Sequence, residues 1–88
     1  MIPTNEDLEN ETIARNLVNK LKNAKEFAAM KRSGTLDRNL SIWAERKYGK
    51  RTYNDIGRDH RVTAGLIEKL YKKMDARIRV VLGNDYRG

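Results

Sequence analysis

The sequence predicts a single all-α domain, and three observations carry that expectation. Apolar residues recur at three- and four-residue steps along most of the 88 residues. The one proline is Pro3, so nothing beyond the start forbids helix. Each periodic stretch is bounded by glycine, or by a threonine suited to cap a helix. A chain of this length buries one modest core, so 1–88 is read as one domain built from four helices.

The first helix is drawn over 4–31. Thr4 and Asp7 stand at capping-box spacing, and Ile13, Leu17, Leu21, Ala24 and Ala28 form an apolar stripe that Val18 and Phe27 widen. Asn10 offers a second start. Gly34 is a natural stop and Thr35 a natural cap for a support helix over 35–49, whose Leu36, Leu40, Trp43 and Ala44 share a face with Ile42 and Tyr48 beside it. Gly49 ends that helix. A short third helix opens at Thr52, spaced from Asp55 as another capping pair, and ends near His60. The fourth starts at Thr63 and carries Ile67, Leu70, Tyr71, Met74, Ile78, Val81 and Leu82 on one stripe, stopping at Gly83.

Charge bounds the function. The chain holds 19 Lys and Arg against 12 Asp and Glu, a formal charge of +7 that favours a polyanionic partner. Residues 1–30 carry four basic and five acidic side chains, and residues 31–88 fifteen and seven, so the positive charge belongs to the back end. With no cysteine there is no disulfide framework or thiolate metal site, and one histidine completes neither a metal site nor a catalytic triad. Glycine-rich phosphate loops and nucleophile elbows are also missing, so neither a cofactor nor an enzyme is expected. No apolar run approaches membrane-spanning length, and the start MIPTNEDLEN has neither a basic nor an apolar leader region. The expected setting is cytoplasmic, with no membrane partner.

The pattern with most functional content lies at 52–72. A helix-turn-helix needs a small residue inside its first helix, apolar residues where the two helices meet, a tight connection and a capped second helix. Ile56 supplies the inner apolar residue and Gly57 the small contact. Val62 packs under the turn, Thr63 caps, and Ile67 and Leu70 point inward. Lys50, Arg51, Arg58, Arg61 and Lys73 lie on or beside this stretch as candidate phosphate contacts, with Arg46 and Lys47 adding to the patch. Trp43 reads as core, Tyr53 as packing, His60 as a helix-end residue, and KKMDAR as a solvated face.

TYNDIGRDHRVTAGLIEKL resembles the helix-turn-helix in the fourth conserved region of bacterial sigma factors, and the preceding RNLSIWAERKYGK resembles the run into that motif there and in the Mor family of phage middle-gene activators. The likeness spans roughly residues 36–74. It implies a tri-helical core and a recognition helix entering the major groove of double-stranded DNA, with Thr63, Ala64, Gly65, Glu68, Lys69 and Lys72 on its exposed leading positions. Arg61 stands where the family has glycine, a substitution costing about 1 kcal/mol if that turn position is left-handed.

The leading reading is therefore a DNA-binding transcription regulator of phage or prophage origin. It would act as a homodimer, because the apolar stripe after Met74 needs a partner surface, on the first helix or another chain, and a pair of motifs reads two half-sites. Ala64 and Gly65 offer little to a base edge, which keeps a second reading open: a sigma-like interaction module for RNA polymerase or another regulator. A third reading is the DNA-recognition subunit of a phage packaging complex.

Overall fold

Helical segments fill the described residues, 5–86, of the computed structural model, and no strand occurs among them. In chain order they are α1 (Asn5–Lys22), a 3-10 turn (Lys25–Phe27), α2 (Ala28–Ser33), α3 (Leu36–Lys47), α4 (Tyr53–His60), α5 (Ala64–Leu82) and a closing 3-10 turn (Gly83–Asp85). The chain is all-α, as expected, but five α-helices replace the expected four. The Thr4 cap falls outside the described residues, as does the side chain of Asp7.

The extra element arises because the helix expected over 4–31 breaks at Asn23 and Ala24. Asn23 turns its side chain back to donate to the carbonyl of Asn19 at 3.1 Å, and Ala24 takes an extended conformation at φ −72°, ψ 131°. Such local side-chain bonding competes with a continuing helix. The break also satisfies burial. On one unbroken helix Leu21 and Phe27 would point about 120° apart, whereas the bend brings both into the core. Ala28, expected on the apolar stripe, faces solvent instead.

Two other boundaries differ from expectation. Thr35 makes no side-chain cap, and its hydroxyl instead meets that of Ser33 at 3.0 Å. At the end of α3 the left-handed residue is Lys50, with φ 53°, rather than Gly49. Gly49 is needed for space, since a β-carbon there would lie 2.6 Å from the carbonyl oxygen of Glu45.

α3 is the central strut, packed against α1, α2, α4 and α5. On one side lies the larger apolar cluster, where Leu21, Phe27, Leu36, Leu40, Trp43, Met74, Ile78 and Leu82 are all buried. On the other, Ile42, Ile56 and Ile67 form a smaller cluster flanked by Tyr53, Val62 and Leu70. The stripe of α5 after Met74 is thus buried within the chain's own fold: Met74, Ile78 and Leu82 pack against α1 and α3, which removes the reason for expecting a partner along that stripe.

A polar seal closes the larger cluster. Trp43 Nε1 and the Tyr86 hydroxyl both donate to Asp75 Oδ1, at 3.1 and 2.6 Å, while Arg79 Nε donates to Oδ2 at 3.1 Å. Lys47 Nζ donates to the Tyr86 oxygen at 3.2 Å, and the Lys47 and Arg79 cations lie over the Tyr86 ring. Burial pushes the Asp75 carboxyl upward, but hydrogen bonds from Tyr86, Trp43 and Arg79 outweigh it and hold the group below its ordinary value. Asp75 therefore belongs to the interior, with a side chain only 14% exposed, and KKMDAR is not wholly a solvated face.

Candidate nucleic-acid interface

The surface of interest starts at a turn fixed by backbone packing. Thr52 caps α4, its hydroxyl accepting from the Asp55 amide at 3.1 Å, and Thr63 caps α5, accepting from the Leu66 amide at 3.2 Å. Between them Gly57 is buried so closely that a β-carbon would lie 2.7 Å from the carbonyl oxygen of Val62 and 3.3 Å from the carbonyl carbon of Thr63. The Val62 amide donates to the Gly57 carbonyl at 2.9 Å. Arg61 takes φ 59°, ψ 40°, left-handed without being glycine. Ile56 and Ile67 are fully buried beneath this turn, and Val62 and Leu70 pack against them.

From that turn α5 presents an outward face. Gly65, Lys69, Lys72, Lys73 and Ala76 follow one another on its exposed side at helical spacing. Glu68 is half-buried and paired with Lys72 at 3.0 Å, which holds the Lys72 ammonium above its usual range. The remaining acid of this helix, Asp75, is turned inward. The solvent side of α5 is consequently basic, and beyond Lys73 it carries the exposed Arg77, which the sequence reading did not single out; Arg79 is exposed too but is paired with Asp75. The signal for Arg77 was available in the helical spacing, since α5 runs unbroken to Leu82. Ala64 is half-buried, Thr63 and Gly65 are exposed, and a β-carbon at Gly65 would meet open space. Leu66 is 43% exposed beside them.

The expected phosphate contacts divide into two sets. Arg58, Arg61, Lys69 and Lys73 are exposed and form no ion pair among the described residues; Arg58 and Arg61 share the end of α4 that leads into α5. Lys50 is exposed at the opposite end of α4, a helix about 12 Å long. Arg51, expected to be an outward clamp, is occupied within the fold. Its guanidinium meets Glu45 and Asp59, each at 2.6 Å, and donates to the Asp55 carbonyl at 3.4 Å. Its hydrogen bonds to the Asp59 and Glu45 carboxylates raise its already high pKa. Glu45 also meets His60 Nε2 at 3.1 Å, so His60 fixes the end of α4 as expected.

Arg46 and Lys47 likewise serve the interior. Arg46 donates to the Arg51 carbonyl at 3.0 Å and lies over the Tyr53 ring, 4.7 Å from its centre, while Lys47 holds Tyr86. Among the described residues no cluster of His, Cys, Asp or Glu could hold a metal ion, and no helix is long and apolar enough to cross a membrane. Neither a protein-family model, nor a curated protein, nor a solved structure matches the chain.

Proposed function

We propose that this chain binds double-stranded DNA as a regulator of transcription, laying the first half of α5 in the major groove. The observation that carries the reading is the coincidence of two features. A glycine-tight turn ends in a capped helix, and the exposed side of that helix shows Lys69, Lys72 and Lys73 with its one half-exposed acid already paired. Lysines at such positions contact phosphate or guanine, and Arg58 and Arg61 at the turn extend the cationic track. Sequence discrimination is modest, because Ala64, Gly65 and Leu66 offer no side-chain donor and can touch only apolar groups such as the thymine methyl.

Leu66 favours a second reading, in which the same turn docks on a protein such as RNA polymerase, since an exposed leucine beside two small residues suits an apolar pocket. Titration with random-sequence duplex at low salt separates the two. The DNA reading expects clear binding that weakens linearly in log–log form as salt rises, with a slope of about −0.9 per phosphate neutralised. Lys69→Ala and Arg58→Ala should each weaken binding across sequences and reduce that slope by about one. Absent binding, or affinity untouched by both substitutions, transfers the assignment to the protein partner.

A further inference from the structure

Gly65 is a residue that the fold itself does not require. It stands in the first turn of α5, a β-carbon added there would meet open space, and its backbone is not left-handed. Glycine inside a helix is less stable than alanine. What it gives in return, on an outward face, is a closer approach of the backbone to whatever lies against it. Glu68 and Lys72 follow Gly65 at three and seven residues, on the same side of the helix.

Glu68 is the second departure from what a phosphate-binding face needs. Among the described residues of α5 it is the one acid turned to solvent, with a side chain 46% exposed, and its neighbours on that face are Lys69, Lys72 and Lys73. A carboxylate there opposes a polyanion, and an exposed ion pair one helical turn long adds little to stability. Glu68 Oε1 lies 3.0 Å from Lys72 Nζ, so the pair presents an acceptor and a donor side by side.

In the major groove a guanine–cytosine pair presents the converse. Guanine O6 and cytosine N4 are held about 2.9 Å apart by their own hydrogen bond; O6 keeps a free lone pair, N4 keeps a free N–H, and N7 adds a second acceptor beside O6. We propose that Glu68 and Lys72, kept together as an ion pair, read one guanine–cytosine base pair as a unit, Lys72 donating to guanine O6 and N7 while Glu68 accepts from cytosine N4. A thymine–adenine pair has the same order of acceptor and donor, but it sets a methyl beside O4 where guanine has N7, and the ammonium gains only one acceptor. The inference rests on the DNA reading and adds to it a base preference that Ala64, Gly65 and Leu66 cannot supply.

The test is selection by the full chain, at fixed low salt, from a pool of duplexes with a randomised central stretch, followed by sequencing of the bound fraction. The unaltered chain should enrich guanine–cytosine at one position by about tenfold over the other pairs. Glu68→Ala should erase that preference while raising affinity for random duplex and steepening the salt slope, because Lys72 is released to phosphate. Lys72→Ala should erase the preference at the same position while lowering affinity, and the double variant should lose no more discrimination than either single one. Glu68→Gln, which keeps the side-chain length, should let adenine compete with cytosine there. Circular dichroism melts verify that each variant keeps the fold. Duplex binding without a preferred pair, a preference that survives Glu68→Ala, or losses at different positions in the two single variants overturns the proposal and leaves the DNA reading standing. Failure of the unaltered chain to bind any duplex at low salt overturns both.

Discussion

The two apolar clusters share helices α3 and α5, yet are secured by different means. The larger holds eight buried side chains, Trp43 among them, and is sealed by Asp75 and Tyr86. The smaller holds three isoleucines, and its tightness comes from the close backbone approach at Gly57. At about 1.5–3 kcal/mol for each fully buried large apolar side chain, the first cluster supplies most of the cohesion. The second, beneath the candidate interface, depends on shape. A missing side chain damages one; an added atom damages the other.

Trp43→Ala should therefore give the largest loss, about 3–5 kcal/mol, read as a global fall in the denaturant midpoint followed by far-ultraviolet circular dichroism. Gly57→Val should cost about 1–3 kcal/mol through overpacking against the Val62 carbonyl. Its damage should be local, so that amide exchange accelerates in α4 and the turn while α3 residues around Trp43 keep their protection. Equal loss of protection in both regions would show that the clusters unfold as one unit.

The seal on the larger cluster can be sharpened by pH. Asp75 is held below the unfolded carboxylate value of about 3.9, so its contribution is complete above that value and is lost as pH falls through it toward the lower folded pKa. Asp75→Asn should cost about 1–2 kcal/mol at neutral pH, and the stability curves of the two proteins should converge on acidification. A constant gap across that range would mean that the carboxylate charge contributes nothing.

The smallest effect has the opposite sign. Arg61 occupies a left-handed position at a cost of about 1 kcal/mol, so Arg61→Gly should raise stability by about that amount while lowering affinity for duplex DNA. A change in melting temperature without a change in affinity would assign Arg61 to the turn alone.

Much of this was legible in the sequence, for reasons that differ by residue. Leu36, Leu40 and Trp43 on α3, and Ile67, Met74 and Ile78 on α5, are placed by helical spacing alone, and Thr52 and Thr63 by the chemistry of capping. Gly57 was recognisable because only a glycine tolerates that approach. The break at Asn23 was hidden because Ala24 suits a helix as well as a bend, and only the competing burial of Leu21 and Phe27 decides. Arg51 and Asp75 were misread for a shared reason. Their partners, Glu45 and Asp59 for the one and Trp43 and Tyr86 for the other, are set by packing between elements, which local charge counting does not contain. Tyr86 itself follows the last helix as an isolated aromatic with no period to announce it.

The indole of Trp43 is the chain's one tryptophan, and it sits wholly within the larger cluster. Intrinsic fluorescence consequently watches one half of the molecule. A perturbation that loosens the three-isoleucine side would leave emission unchanged, so a spectroscopically native sample can be one whose turn between α4 and α5 has opened.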